Sequence, residues 1–186
     1  KLRRSVGTCY VVAMVRGKRN PRYFGLATRL RTTRKARGLT RMALAQRVGR
    51  DPSVSADIEM NQRLPTVGMV VRLAAGLEVS VGWLAYGIGS PHPEETPATT
   101  EGMSARIKTA RMEQGFTKAG LARLADLSAT ALANIEKGAQ TGVDVLEALA
   151  MALEVSPAWL AFGVEPQLLP ARRSARATAE SAHAAE

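Results

Sequence analysis

Short apolar stripes with the spacing of an α-helix follow one another between residues 103 and 164. In the first stripe, Met103, Ile107 and Ala110 share one face, because residues three and four apart in sequence are neighbours on a helix. We expect this helix to begin near Ser104. It should end at Gly115, since glycine readily adopts the left-handed conformation that closes a helix.

Residues that favour helix ends mark four further helices. Thr117 and Ser128 are placed to cap the second and third helices through their hydroxyl oxygens. Thr141, with Asp144 three residues later, resembles a capping box for the fourth helix, and Pro157 suits the first turn of the fifth. The apolar residues expected to face inward are Leu121, Ala122, Leu124, Leu132, Ile135, Val145, Leu146, Leu149, Leu153, Trp159 and Leu160.

The same pattern occurs earlier in the chain. Residues 83–87 (WLAYG) recur as residues 159–163 (WLAFG), 76 positions later. Further upstream, residues 38–41 (GLTR) match residues 115–118 (GFTK) at a spacing of 77 positions. Repetition over this length indicates two copies of one folding unit.

The change of spacing shows that one residue is missing from the second copy, between Glu136 and Val143. We expect the gap to fall in a loop, because within a helix it would rotate the apolar face by about 100°. We call residues 26–88 repeat 1 and residues 103–164 repeat 2.

Repeat 1 follows the plan of repeat 2. Thr40 is placed to cap its second helix, and Asp51 followed by Pro52 predicts the start of its third. Asn61 stands where repeat 2 has a glycine, and asparagine tolerates the left-handed conformation. Residues 65–66 (PT) open its fourth helix. The sequence therefore predicts an all-α fold of two tandem five-helix domains.

Three segments lie outside the repeats. Residues 89–102 carry three prolines among small polar residues, which predicts a Pro-rich linker that is partly extended and partly flexible. Residues 165–186 are rich in alanine, arginine and serine, and we expect a flexible tail. Residues 1–25 are basic and contain no acidic residue. Three alternatives remain open for this segment. It is an arm that follows the DNA backbone or minor groove, a disordered segment, or sequence from outside the native reading frame; the last is considered because the chain does not begin with Met.

Composition narrows the classes of function. The 186-residue chain has a formal net charge of +10 and a pI near 10.6, so a polyanion is its natural partner. The single cysteine, Cys9, excludes an internal disulfide, and it is distant in sequence from His92 and His183, so no zinc site is expected. No apolar run approaches the roughly 20 residues that span a bilayer. Catalytic triads and phosphate-binding loops are not recognisable either. We expect no membrane, no metal, no cofactor and no enzymatic activity.

These motifs resemble those of the phage-repressor and Cro-like helix-turn-helix family, often called XRE-type. The matching positions in repeat 2 are Arg111, residues 115–117 (GFT), 121–122 (LA), 127–128 (LS), 132–133 (LA) and 135–136 (IE), Gly138, residues 149–150 (LA), Leu153, and residues 155–156 (VS) and 159–160 (WL). The two copies cover about two thirds of the chain. The resemblance implies two tandem lambda-repressor-like domains, each with its third helix in the major groove of DNA.

The resemblance also implies roles by position. Arg41 and Lys118 would open the second helices and contact phosphate. The third helices would present Asp51, Pro52, Ser53, Val54 and Asp57 in repeat 1, and Ser128, Ala129, Thr130, Ala131, Asn134 and Lys137 in repeat 2. Two pairs, Arg34 with Glu59 and Arg111 with Glu136, would link the first and third helices. We interpret these pairs as structural and not as readers of DNA.

Side-chain chemistry agrees with these roles. Asn134 can pair with adenine through two hydrogen bonds, and Thr130 or Ala131 can contact a thymine methyl group. Basic residues around the same helices can neutralise phosphates, although each of them can also be ordinary solvated surface. These residues are Arg41, Arg47, Arg50, Arg63, Lys118 and Lys137.

Repeat 1 departs from the family pattern. Arg50 replaces the small apolar residue usual in the turn, and Ser55 stands where repeat 2 has Leu132, so Val54 is expected to fill the core in its place. Asp51 and Asp57 put negative charge on the face that would meet DNA. Asp57 can accept a hydrogen bond from cytosine, but repulsion by phosphates is an equal alternative. Repeat 1 either binds DNA mainly through its arginines or binds a partner.

We expect a sequence-specific transcription regulator of double-stranded DNA, and specifically a repressor, in the cytoplasm of a bacterium and at its nucleoid. The alternative is a protein-interaction module of the anti-activator or antitoxin type on the same scaffold. One chain with two domains can cover two half-sites about one helical turn apart, and so can two chains. A homodimer and a regulatory protein partner therefore remain open.

Overall fold

The computed structural model describes residues 24–93, 98–164 and 167. Ten α-helices organise these residues, which confirms the expected all-α fold. They are α1 (Phe24–Ala36), α2 (Arg41–Val48), α3 (Pro52–Glu59), α4 (Val67–Leu77), α5 (Val81–Tyr86), α6 (Met103–Glu113), α7 (Lys118–Leu124), α8 (Ala129–Glu136), α9 (Val143–Ala152) and α10 (Pro157–Phe162). No helix in this part of the chain has the length and apolar character needed to cross a membrane.

Several sequence expectations lie outside the described residues. These are the basic arm before Phe24, which includes Cys9, the centre of the linker at residues 94–97, and nearly all of the tail, which includes His183. Helix α1 itself begins at Phe24, two residues before the expected start of repeat 1.

Side-chain caps begin four of the helices where the sequence predicts them. Thr40, Thr117 and Ser128 each accept a hydrogen bond at 3.0 Å from the backbone N–H three residues later. Asp51 caps α3 by accepting from the Ser53 N–H at 2.8 Å, with a proline at the first helical position. Because each cap satisfies a donor that has no partner inside the helix, these short helices begin at defined residues.

The expected cap of α9 is wrong. The helix follows Gly142, which makes no side-chain cap bond, and Asp144 lies in the first turn. Thr141 is buried, and its carbonyl oxygen accepts a hydrogen bond from the Val67 N–H of repeat 1 at 2.9 Å. The loop before α9 is the one that lacks a residue. Contact with repeat 1, and not a local capping box, therefore sets its conformation.

Leu124 does not face inward as expected, because its side chain is 60% exposed. Leu121, Ala122 and Ala125 are buried instead. These three positions follow the i, i+1, i+4 spacing of one helical face, whereas Leu124 lies to the side of that face at the last residue of α7.

The core position that distinguishes the repeats is filled by two different side chains. Leu132 is fully buried in repeat 2, and its equivalent Ser55 is also buried in repeat 1. The Ser55 hydroxyl donates to the Pro52 carbonyl oxygen at 3.0 Å, so the polar group is satisfied within α3. Val54 is only half-buried against the core. It therefore does not replace the missing leucine in the way the sequence suggested.

The two repeats pack against each other through their backbones just before α4 and α9. Thr66 and Gly142 occupy equivalent positions in the two repeats and form an antiparallel bridge. The two hydrogen bonds beside it are reciprocal: the Val67 N–H donates to the Thr141 oxygen at 2.9 Å, and the Val143 N–H donates to the Pro65 oxygen at 3.3 Å. Each repeat thus donates one hydrogen bond to the other repeat and accepts one from it.

Helices α5 and α10 form the second part of this contact, again between equivalent residues. The ring centroids of Tyr86 and Phe162 lie 6.3 Å apart. A Cβ atom added at Gly82 would lie 3.1 Å from the Cβ of Ala158, so the helices approach closely there. Contacts between a residue and its own equivalent arise next to a twofold axis. The repeats therefore form an approximately twofold-symmetric pair within one chain.

Two equivalent arginines hold the helices of this contact in place. Arg29 donates to the carbonyl oxygens of Leu84 and Ala85 at 3.1 and 3.0 Å. Arg106 does the same at the end of α10, at 3.1 and 2.9 Å. Burial lowers the pKa of both guanidinium groups. The positive charge suits the C-terminal end of a helix, where carbonyl oxygens lack partners.

Candidate nucleic-acid interface

Two helix-turn-helix units lie in the structure, one in each repeat. Helix α2 packs on α3, and α7 packs on α8. The chain turns between the helices through left-handed residues, Gly49 with φ 62° and Asp126 with φ 56°. Both α3 and α8 have eight residues, and the major groove of B-DNA is about 12 Å wide, enough to admit a helix of this kind.

The outer face of α8 is polar and carries little charge. Thr130, Asn134 and Lys137 are exposed and recur at four- and three-residue intervals, so they share one face. The remaining predicted positions are Ser128 and Ala129, which are exposed, and Ala131, which is half-buried. The amide of Asn134 is therefore presented to solvent between a hydroxyl group and an ammonium group.

The outer face of α3 is acidic at the equivalent place. Asp51 and Ser53 are exposed, while Pro52, Val54 and Asp57 are half-buried. Hydrogen bonds from Ser53 lower the pKa of the Asp51 carboxyl, so this cap is ionised at neutral pH. Repeat 1 thus presents the carboxylates of Asp51 and Asp57 where repeat 2 presents the hydroxyl of Ser128 and the amide of Asn134.

A buried glutamate links three helices of repeat 1. The side chain of Glu59 is fully buried, and it accepts from Arg34 Nε at 2.5 Å, from Arg34 Nη2 at 3.0 Å and from Arg41 Nε at 3.1 Å. Arg31 donates to the Glu59 carbonyl oxygen. Burial disfavours the charged form of Glu59, but the bonds from Arg34 and Arg41 outweigh it and lower the pKa of the carboxyl. The glutamate therefore holds Arg41 at the start of α2.

Repeat 2 contains the same arrangement in a looser form. Glu136 accepts from Arg111 Nε at 2.6 Å and from Arg111 Nη2 at 3.4 Å, and Lys118 Nζ lies 3.6 Å from the second carboxylate oxygen. Arg111 also donates to the Phe116 carbonyl oxygen at 2.9 Å. The structure thus brings together both pairs singled out in the sequence. It also shows that the cation opening each second helix belongs to the same cluster.

Arg50 and Arg63 are exposed beside α3, and the structure adds Arg72 of α4, which sequence reasoning missed. All three line one cavity. The signal for Arg72 was its substitution relative to the other repeat, where the equivalent residue is Ala148. The pairing of Tyr86 with Phe162 was also missed, because nothing in an apolar pattern tells an inter-repeat contact from core packing.

Comparisons with known protein families agree with this geometry. A family model described as Helix-turn-helix domain matches residues 26–83, and a second, described as Helix-turn-helix, matches residues 107–160. Searches of curated proteins and of solved structures gave no match. The two matches fall on the two repeats and contain α3 and α8. The chain therefore contains two tandem helix-turn-helix domains of the kind found in DNA-binding regulators, at least one of them of the XRE type.

Proposed function

We propose that this protein is a sequence-specific transcriptional repressor in which one chain occupies both halves of an operator. The observation that carries the proposal is the approximate twofold relation between the two helix-turn-helix units. Double-stranded DNA has local twofold symmetry, and paired helix-turn-helix domains use it by placing two third helices in major grooves about one turn, roughly 34 Å, apart. Here both helices belong to one chain, so a second chain is not needed.

Repeat 2 is the stronger base reader in this proposal. Asn134 is exposed at the middle of the outer face of α8, where an amide can make two hydrogen bonds to adenine. Thr130, one turn earlier on the same face, can contact a thymine methyl group. On α3, the Asp57 carboxylate can only accept hydrogen bonds, for example from the amino group of cytosine. The operator is therefore expected to have two unlike halves.

Phosphate contacts come from the cations that begin the second helices. Arg41 and Lys118 are exposed, yet each lies within an ion-pair distance of a buried glutamate. The glutamate orients the cation, and the N–H groups of the cation that face away from the glutamate remain available to a phosphate. Arg50 and Arg63 beside α3 and Lys137 at the end of α8 are also exposed and add positive charge near the third helices, so the affinity should fall steeply with salt.

The proposal is tested by fluorescence anisotropy with a duplex selected from a random pool, compared with a random duplex over a salt series. We expect tight binding to the selected duplex and a clear preference over the random one. Asn134→Ala should reduce the preference by about 1–3 kcal/mol. Lys118→Ala should weaken binding to both duplexes and lower the salt slope by about one. Thr109→Ala on α6 is the control and should change neither. Equal affinity for both duplexes would contradict the proposal.

The repressor role follows from occupancy, because a protein that covers about one turn of promoter DNA obstructs polymerase. It is tested with a reporter whose promoter overlaps the selected duplex. Expression should fall when the protein is present and recover with Asn134→Ala. An increase in expression would mean that the protein is an activator.

A second candidate function, the binding of a protein partner through repeat 1, is favoured by the carboxylates of Asp51 and Asp57 on the outer face of α3, together with two exposed methionines. Met42 on α2 is 58% exposed, and Met60 at the end of α3 is 40% exposed. Methionine is common at adaptable binding surfaces. This candidate predicts that Met42→Lys leaves DNA preference intact while abolishing a partner interaction, and it becomes the leading one if the selected duplex shows no preference.

A further inference from the structure

A cavity of about 620 Å³ lies beside the third helix of repeat 1. The apolar side chains of its lining include Val54 and Ile58 of α3, Leu64 of the connecting loop and Met69 of α4, and Gln140 of repeat 2 also lines it. This volume is in the range of small-molecule sites, and the lining is more polar than apolar, which suits a charged ligand.

The charged groups of the cavity are all positive. Arg50, Arg63 and Arg72 contribute guanidinium groups to its lining. Within residues 24–93 and 98–164, the ion pairs involve other side chains, so these three have no carboxylate partner there. Like charges that share one cavity repel each other, and a bound anion relieves that repulsion. The fixed fork of arginine also matches the geometry of carboxylate, sulfonate and phosphate groups.

The cluster is specific to repeat 1. The residue equivalent to Arg50 in repeat 2 is Leu127, and the residue equivalent to Arg72 is Ala148. The loop that carries Arg63 is one residue shorter in repeat 2 and contains no arginine there. Repeat 2 also has Asp144 where repeat 1 has Gly68, which lines the cavity. A general need for positive charge near DNA would act on both repeats. The restriction of the three-arginine cluster to repeat 1 indicates that this cavity has a role in addition to DNA contact.

We propose that this cavity binds a small organic anion, with its acidic group on the arginines and its apolar body against Val54 and Met69. We also infer that the bound anion weakens DNA binding by repeat 1, an inference that rests on the proposed function. Val54 belongs to the helix assigned to the major groove, and a negative charge held beside it repels the phosphates. By linkage, DNA must then weaken binding of the anion by the same factor.

The site is tested without DNA by titrating the full chain with 1-anilinonaphthalene-8-sulfonate, an aromatic sulfonate whose fluorescence rises in apolar surroundings. We expect one saturable site per chain. Arg50→Ala with Arg72→Ala should raise the dissociation constant by about tenfold or more, since two charge-assisted contacts are lost. The control removes two exposed cations elsewhere, Lys35→Ala with Lys108→Ala, and should stay within about twofold. Circular dichroism should be unchanged in both variants.

Equal losses in the two double variants, or no saturable binding, would overturn the site. This outcome can be told apart from failure of the proposed function, because no DNA is present. A second arm adds the probe to the complex of the protein with the selected duplex. The probe should lower the affinity of the wild-type chain for the duplex. Because Arg50 also contributes positive charge toward DNA, the Arg50→Ala, Arg72→Ala variant is compared with itself, and its own affinity should be the same with and without the probe. Probe binding without loss of duplex affinity would overturn the inferred effect on DNA.

Discussion

At the scale of single residues, two buried glutamates determine how each helix-turn-helix unit presents its cations. The Glu59 side chain has no exposed surface and that of Glu136 has 4%, so neither carboxylate can rely on water. Each is stabilised by an arginine of the first helix and by a cation at the start of the second. Each cluster therefore joins three helices and orients the cation at the start of the second helix, which is the proposed phosphate contact.

Removing one partner should be costly, since it leaves the other charge buried and unpaired. Glu59→Ala should lower the free energy of unfolding by about 3–5 kcal/mol, measured by urea denaturation. Glu113→Ala, an exposed glutamate at the end of α6, is the control and should change stability by less than about 0.5 kcal/mol. A similar small change for Glu59→Ala would mean that water reaches the cluster.

The same cluster predicts how stability depends on pH. The pKa of the Glu59 carboxyl is lowered in the folded chain relative to its ordinary value of 4.5. Its contribution is therefore fully present above about pH 4.5 and is lost as the pH falls through the lower folded-state value. Thermal unfolding should show this loss in the wild-type chain and a smaller one in Glu59→Gln. Equal acid sensitivity of the two proteins would contradict the assigned role.

At the scale of secondary-structure elements, local hydrogen bonds decide where most of the short helices begin. Thr117 and Ser128 cap α7 and α8, and Asp51 caps α3. These residues were identified from the sequence because a cap depends only on neighbours within three residues. The capping box expected at Thr141 was wrong because the backbone there hydrogen-bonds to repeat 1, which no local pattern encodes.

The cap of α8 should matter for stability and for the placement of the recognition surface. Ser128→Ala removes the hydrogen bond to the Ala131 N–H and should cost about 1 kcal/mol in urea denaturation. Ser104→Ala, inside the first turn of α6 whose N-cap is Gly102, is the matched control. If both variants lose the same stability, the Ser128 hydroxyl has no special capping role.

The sequence predicted the helices more accurately than the contacts that each helix makes with its neighbours. Repeat pattern and helix spacing were enough for the all-α fold and for the placement of α3 and α8. The exposed side of α7 was misjudged at Leu124, since apolar character alone does not tell which flank of a helix another element covers. The cavity beside α3 depends on arginines from a turn, a loop and α4, which come together only through tertiary packing.

At the scale of the whole molecule, the approximate twofold axis joins two unlike halves. The reciprocal bonds between Val67 and Thr141 and between Val143 and Pro65 obey the symmetry. Tyr86 breaks it, because its hydroxyl donates to the Val143 carbonyl oxygen at 3.3 Å, whereas Phe162 has no hydroxyl. Burial, with added repulsion from Glu147 and Asp144, raises the pKa of Tyr86, so the hydroxyl stays a donor.

Separating the repeats should reduce affinity without unfolding them. Gly82→Leu places a side chain where even a Cβ atom would be 3.1 Å from Ala158, so α5 and α10 must move apart. We expect the circular dichroism spectrum to be retained. Affinity for the selected duplex should fall by at least about tenfold, because α3 and α8 can then no longer bind one duplex at the same time and their binding energies no longer combine. Ala75→Leu on the exposed side of α4 is the control. Unchanged affinity for Gly82→Leu would show that the contact between repeats is not needed.

The mass of the protein–DNA complex tests most directly whether one chain supplies both halves of the DNA-binding surface. Native mass spectrometry of the chain with the selected duplex, at a salt concentration that suppresses random binding, gives the number of chains per duplex. We predict one chain of 19.9 kDa per duplex over a range of protein excess. A complex of two chains per duplex, formed cooperatively and without a one-chain species, would contradict the account.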